Sequence, residues 1–129
     1  MTKYLIDTHT FIWFVSEPNK LSKRALKILE SSNSEIYLSI VSAWEIAIKY
    51  SLGKIQLPSL YEHFIKEQIA LNEIELLNLR LEHTVKVASL PFVHSDPFDR
   101  ALAAQALSEE TIIVSKDPVF SKYQVRCLW

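Results

Sequence analysis

Two short apolar runs, Tyr4-Leu5-Ile6 and Thr111-Ile112-Ile113-Val114-Ser115, constrain this chain more than any other feature. Neither alternates apolar with polar residues. Each therefore reads as a strand covered on both faces, the pattern of a parallel sheet packed between helices. Each also stops near an acid, Asp7 directly after the first run and Asp117 shortly after the second. Further strands are expected at 36–40, 74–77 and 124–129, the last at a sheet edge. Helical patterns fall between them at 9–16, 21–29, 41–52, 60–70 and 82–89, and Asp96-Pro97 opens one more. Asp-Pro starts a helix because aspartate accepts a bond from a free backbone N–H and proline suits the first helical position. Strands alternating with helices indicate an α/β fold, a central parallel sheet of about five strands flanked by helices in three layers.

The bulk properties narrow the function. At 129 residues, with 49% hydrophobic and 22% charged residues, the chain is expected to form one domain, 1–129, with a substantial core. A single glycine, Gly53, excludes the P-loop and the dinucleotide-binding fingerprint, which need several glycines close together. Instead Gly53 reads as the stop of the 41–52 helix, with Lys49 and Lys54 on either side. A net charge of −1 supplies no global attraction to nucleic acid, so any such contact needs a local basic patch or metal ions. The densest basic face is Lys20, Lys23, Arg24 and Lys27, which reads first as a solvated helix surface. One cysteine, Cys127, forms no internal disulfide. No apolar run reaches the length of a membrane span and no signal pattern opens the chain, so a cytoplasmic location is expected.

Four acids occupy comparable places. Asp7 follows the first strand, Glu45 lies early in the helix after the second, Asp99 sits one turn into the Asp96-Pro97 helix, and Asp117 follows the strongest strand. In a parallel sheet the carboxyl ends of all strands share one edge, where ligands bind. Carboxylates crowded there repel, and oxygen-only ligation with no cysteine cluster favours a hard divalent ion, magnesium or manganese. Each acid also has a structural explanation. Asp7, Asp96 and Asp117 suit N-caps, and Asp99 suits a first helical turn. Ser42-Ala43-Trp44-Glu45 matches a capping box, with Ser42 as the cap and Glu45 reaching back to it. His9, His63, His83 and His94 lack metal-ligand spacing and read as structural or surface groups, His94 standing apart because it lies two residues before Asp96. No nucleophile elbow is present, which argues against covalent hydrolysis.

Taken together, Leu5-Ile6-Asp7-Thr8-His9-Thr10, Ser42-Ala43-Trp44-Glu45-Ile46-Ala47-Ile48-Lys49, His94-Ser95-Asp96-Pro97-Phe98-Asp99-Arg100 and Val114-Ser115-Lys116-Asp117-Pro118 resemble the PIN-domain family, specifically its VapC-like ribonuclease toxins. The resemblance implies a PIN-like fold and a metal-dependent endoribonuclease of a toxin–antitoxin pair. On it, Asp7, Glu45, Asp99 and Asp117 are the catalytic acids and hold one or two Mg²⁺ or Mn²⁺ ions. Thr8 and Ser115 fall where the family often carries a hydroxyl beside the acid. Arg100, Lys116 and Lys49 are expected to offset phosphate charge, although Lys49 equally suits an ion pair with Glu45 one turn away. RNA is the implied substrate, and a cognate antitoxin and a second copy of the chain are the implied partners. Trp13, Phe14 and Trp44 are candidates for a groove or dimer face, and equally for core.

Two other readings stay open on the residues alone. Asp7 could be the phospho-acceptor of a magnesium-dependent phosphotransfer or phosphatase domain with Lys116 beside it. Against this, His9 stands where a dehalogenase-type fold places its second aspartate. Alternatively, the acidic edge could grip a basic partner without catalysis.

Overall fold

A computed structural model describes residues 1–129. Five parallel strands form one sheet: β1 (Thr2–Ile6), β2 (Ser34–Ser39), β3 (Glu75–Leu77), β4 (Ile112–Val114) and β5 (Cys127–Leu128). Their order across the sheet is β3-β2-β1-β4-β5. Six α-helices connect them: α1 (Thr8–Ser16), α2 (Lys23–Glu30), α3 (Ile40–Ser51), α4 (Tyr61–Leu71), α5 (Leu81–Ser89) and α6 (Pro97–Glu109). Short 3-10 turns occupy Pro18–Lys20 and Pro118–Tyr123. No helix is long and apolar enough to cross a membrane.

The absence of alternation in the strands has a direct cause. Ile6 and Val114 pack into a core with Phe11 of α1, Ala25 of α2, Ile46 of α3 and Phe64 of α4. Leu5 and Ile113, their immediate neighbours, pack on the opposite face with Leu102, Ala103 and Ala106 of α6 and with Phe120 of the second 3-10 turn. Both faces of the sheet are buried, so both sets of strand side chains are apolar. Alanines along α6 let its backbone approach the sheet closely. The buried Gln105 then links three elements. Its Oε1 accepts from the Ser39 hydroxyl at 2.5 Å and its Nε2 donates to the Asn78 carbonyl at 3.4 Å.

Helix ends follow local chemistry. Gly53, at φ 72°, closes α3: its N–H reaches the Tyr50 carbonyl and the Lys54 N–H reaches that of Lys49. The expected capping box at Ser42 does not form. Strand β2 ends at Ser39, which caps α3 itself by accepting from the Val41 N–H at 3.0 Å. Ser42 therefore lies one turn inside the helix, fully buried, and Glu45 is free for another role. Asp117-Pro118 opens a 3-10 turn rather than an α-helix, and the expected 124–129 strand is reduced to two residues at the sheet edge.

Candidate active site

Strand order decides where a site can form. The connection from β1 leads toward β2 on one side, and that from β4 leads toward β5 on the other. Adjacent strands whose connections diverge leave a crevice at their carboxyl ends. Asp7 and Asp117 flank that crevice.

Asp7 is buried and caps α1. Its Oδ1 accepts from the Thr10 N–H at 2.9 Å and its Oδ2 accepts from the Ser115 hydroxyl at 2.6 Å. The Ser115 oxygen accepts in turn from the backbone N–H of Asp117 at 3.0 Å, so one hydroxyl joins the Asp7 carboxylate to the backbone that carries Asp117. Asp117 uses Oδ1 to cap the following turn, accepting from the Val119 N–H at 2.9 Å. Beside them the buried Glu45 accepts from the Thr8 hydroxyl at 2.7 Å through Oε1 and from Lys49 Nζ at 2.8 Å through Oε2. Thr8 and Ser115 thus hold carboxylates in position, and Lys49 is the ion-pair partner of Glu45.

Asp99 lies in the first turn of α6, close enough to Asp117 for their charges to interact, but does not line the cavity between Asp7 and Asp117. Asp96 caps that helix: its Oδ1 accepts from the N–H groups of Phe98 at 2.8 Å and Asp99 at 3.0 Å. The Asp99 Oδ2 lies 3.0 Å from His94 Nε2. Burial pushes the Asp99 carboxyl up to about 6, against the pull of the hydrogen bond from His94 and with the nearby Asp96 and Asp117 charges adding to the rise. His94, Asp96 and Asp99 bring their ligand atoms within 4.8 Å of one another. Asp96 spends Oδ1 on two backbone donors, which makes it the cap of α6 and leaves Oδ2 without a hydrogen bond.

Three of the expected acids thus stand on hydroxyl or imidazole supports, and Asp117 is joined to Asp7 through Ser115. Arg100 is held by the segment before its own helix. Its guanidinium donates to the carbonyls of Pro91 (3.1 Å) and Val87 (3.3 Å) and to the Tyr123 hydroxyl (3.3 Å), and it lies over the Phe92 ring at 4.9 Å. These contacts anchor the segment that carries His94 and do not present the charge to the Asp7–Asp117 crevice. That crevice is a cavity of about 250 Å³ lined by Asp7, His9, Trp13, Lys116 and Asp117. From the sequence His9 reads as a structural or surface group and Trp13 as a groove, dimer or core residue; their spacing of four on α1 puts them on one face. Of the other aromatic candidates, Phe14 is half-buried against the core, while Trp44 is exposed and meets Phe98 edge-on at 5.3 Å. The remaining histidine of interest, His83, is fully buried and structural: its Nδ1 accepts from the Arg80 N–H at 3.0 Å and its Nε2 meets Glu109 at 3.3 Å.

The donor chemistry fits a hard divalent cation. Asp7 and Asp117 face a shared cavity, Asp99 is a half-buried carboxyl raised chiefly by burial, and all are oxygen donors.

The sequence profile of the PIN domain matches residues 4–125. The chain belongs to the PIN domain family. Among PIN proteins it is similar to ribonuclease VapC22 of Mycobacterium tuberculosis, 27% identical over 128 residues that cover 91% of this chain and 88% of that one. Its fold matches VapBC2 from Rickettsia felis, bound to a DNA fragment from its promoter, with a TM-score of 0.74 at 16% identity, covering 98% of each chain. The fold also matches DNA-bound VapBC from Salmonella typhimurium, with a TM-score of 0.72 at 17% identity over 99% of this chain and 98% of that one.

Proposed function

We propose that this PIN domain is a metal-dependent endoribonuclease and the toxin of a toxin–antitoxin pair. One observation carries the reading: Asp7 and Asp117, at the ends of adjacent strands, share the Ser115 hydroxyl at the mouth of one cavity. Likeness to a VapC ribonuclease supports it. Asp7, Asp99 and Asp117 would hold magnesium or manganese, one ion or two, and Glu45 would stand beside them. When bound, such an ion lowers the pKa of a coordinated water and offsets charge on the phosphate under attack.

The chain's own residues set the stage for that chemistry. Ser115 and the Thr10 N–H fix both oxygens of Asp7, so the carboxylate cannot rotate away from the cavity. Thr8 and Lys49 do the same for Glu45. His94 holds Asp99 Oδ2. Lys116, on the cavity wall, supplies the positive charge that a phosphodiester needs among acids.

A cognate antitoxin, with a basic side chain reaching these acids, is the expected inhibitor. A homodimer belongs to the same reading, and sedimentation as a strict monomer would remove it. Cleavage of a mixed-sequence RNA should require Mg²⁺ or Mn²⁺ and stop with chelator. Asp7→Asn and Asp99→Asn should each reduce it on the order of 100-fold or more. Unchanged cleavage by either variant would sink the assignment.

A further inference from the structure

Asp7 caps helix α1, whose first two turns carry His9 and Trp13 on one face of the cavity that Asp7 and Asp117 line. Their rings lie 5.7 Å apart, tilted by 40°. His9 is exposed. Trp13 is half-buried, packed against the core and braced by Trp129 edge-on at 5.9 Å. A braced indole and an exposed imidazole therefore share a wall with two carboxylates and one lysine. An acid-lined end suits a phosphate only where cations offset the charge, whereas an aromatic wall matches the π-face of a base and carries no charge requirement. Proteins that take single-stranded RNA commonly hold splayed bases on such side chains. His9 belongs to neither core, and its one ring contact is with Trp13.

We propose that His9 and Trp13 form a stacking platform for the base of the nucleotide adjoining the scissile phosphate, with Lys116 on the phosphate side. The proposal rests on the endoribonuclease reading and makes the substrate single-stranded at that nucleotide.

The test is binding of a short labelled single-stranded RNA, read by fluorescence anisotropy with Mg²⁺ in an Asp99→Asn background that does not cut. Relative to that parent, His9→Ala and Trp13→Ala should each weaken binding about 5- to 150-fold, the range for losing one base stack. Trp13→Phe should stay within about threefold, since it keeps an aromatic face. Removing one base at a time from the RNA should locate a position whose loss weakens the parent and adds nothing to Trp13→Ala. Should Trp13→Ala fail to fold without its contact to Trp129, His9→Ala and the abasic series decide the matter alone. Alanine variants that bind like the parent would overturn the platform and leave the nuclease reading standing. So would a loss of affinity confined to a protein inhibitor. A parent that binds no RNA, together with a wild type that cuts none, would overturn both.

Discussion

Asp99 binds its proton more tightly in the folded protein than an ordinary carboxyl does, chiefly because burial disfavours its charge. The consequence for stability has a definite sign. Below about pH 4 the carboxyl is neutral in both folded and unfolded chains. As pH rises through about 6 the folded protein must ionise a poorly solvated group that the unfolded chain ionised earlier, so its contribution to stability is lost across that window. Asp99→Asn cannot ionise. It is expected to match the wild type near pH 4 and to exceed it by roughly 1 kcal/mol at pH 8 after solvent screening, about 4 °C in Tm. Thermal unfolding across pH checks this, and a difference independent of pH would refute the cause. The same substitution that stabilises the fold is expected to destroy cleavage, which marks Asp99 as a residue held for function at a cost in stability. Little of this was legible in the sequence. The first-turn position of Asp99 was, but its burial depends on tertiary packing and the approach of Asp117 brings in a residue from beyond β4.

Within single elements, local chemistry was largely readable and tertiary chemistry was not. Asp96-Pro97 signals a cap because cap, proline and recipient N–H groups lie within four residues, and α6 starts there. Asp96→Ala should cost about 1 kcal/mol, lowering Tm by about 4 °C. Asp96→Asn keeps a side-chain acceptor, so both stability and RNA cleavage should stay near wild type. A large loss of cleavage in Asp96→Asn with stability intact would instead make Asp96 a ligand, as its place beside His94 and Asp99 would permit. The capping box at Ser42 misled because Ser39, Ser42 and Glu45 are evenly spaced one turn apart, and either serine could begin the helix. Pairing of Ser39 with Leu77 extends β2 to Ser39, which settles the start one turn earlier. Glu45 is then left to meet Thr8, 37 positions away in the chain, and no local pattern encodes that contact. The contacts of Arg100 were not readable for a similar reason: an arginine after two acids reads as a phosphate ligand, and nothing local signals that the carbonyls of Val87 and Pro91 and the ring of Phe92 hold it.

At the scale of the whole molecule, the parallel sheet followed from strands apolar on both faces, but strand order did not. That order places β1 between β2 and β4 and so brings Asp7 to Asp117 across 110 residues of chain. The proposed site would draw on the ends of β1 and β4, the middle of α3 and the start of α6, so a ligand bound there would couple to the stability of all of them. A cation held only by the folded arrangement stabilises it by mass action. At ten times its dissociation constant the gain is about 1.4 kcal/mol, or about 5 °C in Tm. Mg²⁺ titration of the wild type at pH 8 should show this rise and chelator should reverse it. The carboxylates repel one another without the cation, so Asp7→Asn combined with Asp117→Asn should begin with a Tm no lower than expected for lost Ser115 and cap contacts. That double variant should gain nothing from Mg²⁺. If it gained as much as the wild type, the ion would lie elsewhere, and the cluster of His94, Asp96 and Asp99 would be the place to look. If neither protein responded, the acids would hold no cation tightly enough to matter for folding, and the metal requirement would have to appear with RNA in the site.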